Sequence, residues 1–572
     1  MKKSLLFLML GLCAAFSPLA MADVPAGTDI SGLNTAPDRE AAYRHRVFRA
    51  YRPTSYVNER LHVGAYSRYE NPTGIFFKAG ETATFTVSGN IGGTLELIVH
   101  DFGEGGQDSV HPLTAGENTI TIPADGLTYV NYRADDPATA PAITVDIKGG
   151  AINGVFSRVD DNATWNKILR EAKAATIDAV GERCQLAYNV SSLLEGCPES
   201  GAEVLANYDK IIEIEQKLLG WDQYGIHPGN HVLGRCIWQG FMHADGQGAA
   251  FIYTEVPNIA NPDVMLKQSW GIAHEFGHVN QTRRGMLWTG VTEVTNNIFS
   301  ALVNYRLYPQ NLRLEHETGT TPDGHRMRGS RFDSYVNSAI VNRELWQFQA
   351  GPDDGTTPVT GEKCGDPFVI CCPMWQLQLY VAEARGNDMF YPAIYEDVRN
   401  TDETKMTHGE LRTLFFKRAC DAAKLNLTEF FTETGMLAPM NRRVNDYSST
   451  VVTVTPEMCA EALAYATKYP KPDSSVIYYI TGNNVGIYRD RLPLKPTRGF
   501  VPEFKGDICT IPAGVWQNAV AFEVYEGDKL IRISLLGNNH EDNVTTDVIC
   551  PEGATEIKAV QWDGKRESIW HK

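Results

Sequence analysis

The sequence predicts a multidomain α+β protein: an N-terminal β-sandwich, a mainly helical central domain and a small C-terminal β domain. Three observations carry this reading. Apolar and polar residues alternate between about residues 70 and 150, helical spacings of apolar residues begin at Trp165, and strand-like runs return after about residue 470. At 572 residues the chain exceeds what one core organises, and its length suggests about three to four domains.

Residues 1–22 read as a secretory signal peptide: Lys2 and Lys3, an apolar run over 5–16, and Ala20-Met21-Ala22 as a small-x-small cleavage site. Export of the mature chain, periplasmic or extracellular, follows. Cys13 raises lipid anchoring as the weaker alternative, because bulky Leu12 precedes it where such processing wants a small residue. No stretch of about twenty apolar residues offers a membrane span. In an oxidising compartment the ten cysteines beyond Cys13 are expected to form disulfides. Cys509 and Cys550 could pair within the C-terminal region, and adjacent Cys371 and Cys372 would bridge to different partners.

Residues 23–160 form the expected sandwich, with alternation over 82–87, 94–99 and 118–122 separated by glycine-rich turns. Residues 161–470 form the central domain. Ile168, Ala172 and Ile177, then Ile211, Ile214, Leu218 and Leu219, recur at helical spacing, and further helical segments lie at 411–420 and 425–431. Within this domain 248–253 is a short strand candidate whose small residues Gly248, Ala249 and Ala250 would let an extended peptide pair with its backbone. An ordinary core strand is the plain alternative. Residues 471–572 form the C-terminal β domain, with runs at 476–480, 519–525 and 530–535.

The chemistry concentrates in His274-Glu275-Phe276-Gly277-His278, followed by Glu293. Histidines four residues apart lie one helical turn apart on one face and can offer imidazole nitrogens to a single metal ion. Glu275, offset by about 100°, reaches a water beside the metal rather than the metal itself. Asn261-Pro262-Asp263 supplies a helix start and Gly285, after Arg283-Arg284, a stop. Glu293 opens a second helical stretch over 293–305 and could supply a third ligand, leaving the fourth tetrahedral position for water. One zinc ion per chain is expected. A buried helix with two satisfied histidines is the plain alternative.

Beyond the pentapeptide, the run from Trp270 to Gln281, then Trp288 and Thr292-Glu293-Val294-Thr295-Asn296-Asn297, resembles the signature of the enhancin-type gluzincin peptidases, which include viral enhancins and bacterial mucin-degrading enzymes. Further matching runs at 71–77, 375–380 and 427–431 extend the resemblance over roughly 45–440. It implies a gluzincin-type zinc peptidase domain with His274, His278 and Glu293 as ligands and Glu275 as general base. It also implies mucin-type O-glycoproteins as substrates, cut on the N-terminal side of a GalNAc-bearing Ser or Thr. Trp288, Trp375, Gln376, Arg306 and Arg313 are residue types suited to sugar contacts, although each is also an ordinary structural residue. Tyr253, His231 and Tyr305 are chemically able to stabilise an oxyanion, and Asn296 and Asn297 lie close enough in sequence to support the histidines.

A net charge of −17 with no compensating basic stretch excludes nucleic acid as a partner. Two other classes stay open. A glycan-binding adhesin would explain flanking β domains but would not require Glu275 between two histidines. A broad metallopeptidase would keep the zinc site and lose glycan dependence.

Overall fold

A computed structural model describes residues 30–318, 328–343, 366–539, 542 and 544–572. The leader, Cys13 and Cys364 lie outside the described residues. The chain is mixed α+β, with β-sheets at both ends and a helical region built on a mixed sheet between them.

The N-terminal part is a sandwich of a four-stranded and a five-stranded sheet. Its strand Thr82–Ser88 shows how the alternation works: Ala83, Phe85 and Val87 point inward, while the intervening threonines, whose branching suits a pleated surface, face outward. These side chains meet Leu97, Val99, Val130 and Ile147 in one apolar core. A second cluster, containing Tyr69, Tyr129, Ala187 and Leu233, welds the sandwich to the central sheet. Polar groups complete that seam. Tyr129 donates to Asp178 at 2.9 Å, and Gln185 donates to Asp178 and to the Tyr69 carbonyl, each at 3.0 Å.

The central sheet comprises β1 (Val155–Ser157), β2 (Thr176–Val180), β3 (Cys184–Asn189), β4 (Val232–Ile237), β5 (Met242–Asp245) and β6 (Gly248–Ile252), in the order β1-β2-β3-β4-β6-β5. The expected strand at 248–253 therefore exists but is interior. It pairs in parallel with β4 and antiparallel with β5, and β5 is the free edge. At Gly248 an added Cβ would lie 2.6 Å from the Leu233 carbonyl oxygen, so its small size serves strand packing.

The helix expected to run from Asn261 is broken. Asn261 caps only the turn Pro262–Met265, accepting from Asp263 and Val264 backbone N–H groups, and non-helical Gln268 separates that turn from α1 (Ser269–Asn280). The helix ends before Gly285, because Gln281 is extended and turns the chain away. The next helix, α2 (Thr292–Leu307), lies against α1. Gly277 permits that approach: a Cβ there would sit 2.6 Å from the Asn296 carbonyl oxygen. Against α2 also packs α3 (Pro367–Leu377), whose first turn brings Phe368 edge-on to Trp270 and His274 of α1. The antiparallel hairpin β7 (Met440–Asp446) and β8 (Ser448–Val454) then returns the chain towards the start of α2.

A four-stranded and a three-stranded sheet form the C-terminal part. The run expected as a strand at 476–480 is a short 3₁₀ turn, Ile477–Tyr479, wedged under this sheet and fixed by the Tyr479 hydroxyl donating to buried Glu523 at 2.7 Å. The disulfide expectation is also corrected: all nine described cysteines are buried free thiols. Cys509 is paired in register with Val548 rather than with Cys550, whose Sγ lies 3.8 Å from the Val548 carbonyl oxygen, so both sulfurs fill the local core.

Candidate metal centre

Helix α1 places His274 and His278 on one face, with ring centroids 4.8 Å apart. Glu293 enters from the first turn of α2, where its own backbone is non-helical (φ −91°, ψ 17°). Its Oε2 lies 3.1 Å from His274 Nε2 and 3.2 Å from His278 Nε2. The three ligand atoms fall within 4.8 Å of one another, a spacing one ion can bridge.

The neighbours of the histidines fix which nitrogen faces inward. Asn297 Oδ1, which also accepts from Trp270 Nε1, lies 2.9 Å from His274 Nδ1. A carbonyl oxygen only accepts, so this shorter contact places the proton on Nδ1 and leaves Nε2 its lone pair, against the longer approach of the Asn296 amide nitrogen to the same Nδ1 at 3.2 Å. Gln281 Oε1 does the same for His278 Nδ1 at 3.3 Å, with the Gln281 amide nitrogen anchored to Thr295 Oγ1 at 2.6 Å. Asn296 Nδ2 lies 3.0 Å from His278 Nε2. Two imidazole lone pairs and a carboxylate oxygen thus converge, an arrangement that repels itself unless a cation or a proton sits among them. This donor set fits zinc. Without a metal, proton sharing answers the repulsion. Burial would lower His274, but the Glu293 hydrogen bond, the Glu275 charge and the Asn297 hydrogen bond together outweigh it and hold the imidazole above its ordinary value. Burial would raise the Glu293 carboxyl, and the bonds with His274 and His278 outweigh that in turn, holding it well below the usual carboxylate range.

Glu275 sits between the histidines, 5% exposed, and its Oε2 has no partner among the described residues. Burial raises its carboxyl above the ordinary glutamate value. It borders a cleft of about 660 Å³ whose walls include β5, the three metal-facing side chains, Arg283 and Tyr447. That volume is of the size that holds small ligands or a few substrate residues. Because β5 is an edge, its outer backbone groups face this volume without a strand partner.

Tyr447 escaped the sequence reading. It occupies the turn between β7 and β8 in the left-handed region (φ 57°), and its hydroxyl donates to Glu293 Oε1. The turn is pinned by Asp446, whose Oδ2 accepts from the Gly290 N–H at 2.7 Å, the Thr292 N–H at 3.1 Å and the Thr292 hydroxyl at 2.8 Å. The residues proposed for oxyanion stabilisation lie elsewhere. Tyr253 stacks on Trp238, Tyr305 meets Trp375, and His231 is buried against Glu70 at 2.7 Å.

Nor do the candidate sugar contacts reach the cleft. Trp288 is buried beside Phe415, and Trp375 is buried edge-on to Tyr305. Gln376 donates to the Tyr478 and Ile480 carbonyls at 2.7 and 3.0 Å. Arg306 is held by both oxygens of Glu383, while Arg313 packs over Trp270 and Phe368. Gly248 and Ala249 lie inside the sheet, so β5 takes the edge position expected of them.

The model for peptidase M60, enhancin and enhancin-like, matches residues 150–435, and that for the N-terminal domain of M60-like peptidases matches residues 36–147. The chain is similar in structure to a metallopeptidase from Bacteroides thetaiotaomicron (24% identity, TM-score 0.72, covering 94% of this chain and 91% of that one). It is also similar to a metallopeptidase in complex with Tn antigen (24% identity, TM-score 0.70, covering 93% and 99%). A third similar structure is the M60 catalytic domain from Clostridium perfringens ZmpC in complex with the sialyl T antigen (17% identity, TM-score 0.62, covering 91% and 99%). At these identities the likeness carries the fold. No curated protein matches.

Proposed function

Since the chain belongs to the enhancin-like peptidase M60 family and is a metallopeptidase, we propose that it is an exported zinc endopeptidase acting on mucin-type O-glycoproteins, cutting immediately before a GalNAc-bearing Ser or Thr. His274, His278 and Glu293 hold one zinc ion, and Glu275 is the general base. The observation that carries this reading is the convergence of three metal-facing lone pairs beside a buried carboxylate with an unpartnered oxygen, all bordering a cleft with a free strand edge.

Zinc held there supplies Lewis acidity, acidifying water and polarising the peptide carbonyl. The chain's own residues do the rest. Strand β5 pairs with the extended substrate backbone and holds the scissile bond over α1. Glu275 takes the proton from the attacking water and returns it to the leaving nitrogen. Tyr447, the hydroxyl nearest the third ligand, turns from Glu293 to the developing oxyanion.

Glycan dependence is supported by the two similar structures whose complexes contain Tn and sialyl T antigens. Chemistry of this kind works on any peptide bond, so selectivity must come from binding. A site built to bond sugar hydroxyls leaves polar groups unpaired when the sugar is absent, which costs several kcal/mol. Digestion of matched glycosylated and bare peptides, with and without chelator and read by mass spectrometry, tests it. Cleavage only of the glycopeptide, before the glycosylated residue and abolished by chelator, is expected. Equal cleavage of both peptides would leave a broad metallopeptidase.

A further inference from the structure

A second cavity, of about 220 Å³, lies at the seam between the N-terminal sandwich and the central sheet. It adjoins the metal cleft: Gly246, in the turn after β5, borders both. So does the segment 64–68, whose first two residues line the cleft and whose last three line the second cavity.

One wall comes from two paired strands of the sandwich, with Glu96 opposite Asn131. Glu96 Oε2 accepts from Arg133 at 2.5 Å and from Asn131 at 3.4 Å, leaving Glu96 Oε1 and Asn131 Oδ1 without donors among the described residues. The opposite wall holds Arg52 and Asn230, joined by the Asn230 amide donating to the Arg52 carbonyl at 3.0 Å. Arg52 Nε, Arg133 Nε and Asn230 Oδ1 are buried with no partner among the described residues. Packed interiors rarely leave that much hydrogen-bonding capacity unmet in one place.

The charges, by contrast, are balanced. The lining arginines Arg52, Arg68 and Arg133 face the lining carboxylates Glu70 and Glu96; Arg68 is matched at 2.9 Å by Asp108 outside the lining, and Glu70 is engaged from behind by His231 at 2.7 Å. A cavity rich in planar amide, carboxylate and guanidinium groups, yet without net charge, suits a neutral polyhydroxyl ligand better than an ion. Its volume is below the roughly 300 Å³ at which pockets for drug-sized molecules begin, which matches one sugar ring.

We propose that this cavity is a second saccharide subsite, taking one neutral sugar carried by the substrate away from the scissile bond. It extends the glycoprotein reading above, but is tested without turnover. Saturation-transfer NMR on the full chain, with N-acetyllactosamine and its sialylated counterpart as probes, reads binding directly. Transfer to the neutral probe is expected in the parent and in Glu275→Gln. Asn131→Leu should weaken affinity about tenfold, the scale of one lost hydrogen bond, without lowering the melting temperature. Should that variant unfold, Glu96→Gln keeps the side-chain volume and removes the charge. No transfer in the parent, or unchanged affinity in folded variants, would overturn the subsite, and tighter binding of the sialylated probe would overturn its neutral character. Equal cleavage of bare and glycosylated peptides bears only on the scissile site and leaves this measurement standing.

Discussion

The metal cleft and the Trp375–Gln376 face of α3 carry similar residue types under opposite conditions. On α3, Gln376 spends both amide hydrogens on the carbonyls of Tyr478 and Ile480 and buries its Oε1 in the packed interior with no partner among the described residues, and Trp375 is sealed against Tyr305. In the cleft, Glu275 keeps a carboxylate oxygen unpartnered among the described residues, and exposed Arg283 lines the open volume. Residue type marks neither region as functional. A polar group that faces open volume with bonding capacity in hand does.

Four substitutions can break or sharpen this contrast. The largest effect belongs to Glu275→Gln, which should lower kcat by about 10²- to 10⁴-fold while zinc content by atomic absorption stays near that of the parent. Retained activity at full zinc content would remove Glu275 from the chemistry. Glu293→Ala is the companion control and should lose metal instead. Next, Tyr447→Phe should cost about ten- to a hundredfold in kcat, with little change in KM, because an oxyanion contact is made mainly in the transition state. Unchanged kcat would reduce Tyr447 to a group that orients Glu293. The smallest effect is on the other side of the comparison. Gln376→Ala should leave peptidase kinetics alone and destabilise the fold by about 1–3 kcal/mol in denaturant melts, because it strips two buried carbonyls of their donor. A loss of activity without a loss of stability there would restore Gln376 as a substrate contact.

How much of the site could be read in advance follows chain distance. His274, Glu275 and His278 are set by the pitch of one helix, so the shared face of the two histidines and the offset of Glu275 from it were legible from spacing alone. Glu293 required only that the next helix fold back alongside the first, and Gly277 is the residue that lets it. Tyr447 lies 154 residues beyond Glu293 and arrives on a hairpin, so no local pattern could have pointed to it. The edge strand beside the cleft was missed by one position in the sheet. Gly248 and Ala249 have the small side chains expected beside a peptide, but those side chains serve interior packing, while the edge falls to Met242–Asp245, whose sequence is unremarked. The sandwich was legible because alternation is a two-residue property. The turn at Ile477–Tyr479 was not, since its apolar run satisfies a buried turn as well as a strand.

The anchoring of Asp446 to Gly290 and Thr292 has a consequence for what counts as the working unit of this enzyme. The stretch matching the peptidase family ends at residue 435 and already contains all three metal-facing side chains and Glu275. The hairpin that brings Tyr447 begins at Met440, outside that stretch. A boundary drawn by family likeness would therefore keep the three metal-facing side chains and Glu275 but leave Tyr447 and its hairpin behind, and the loop before α2 would lose the carboxylate that ties it down.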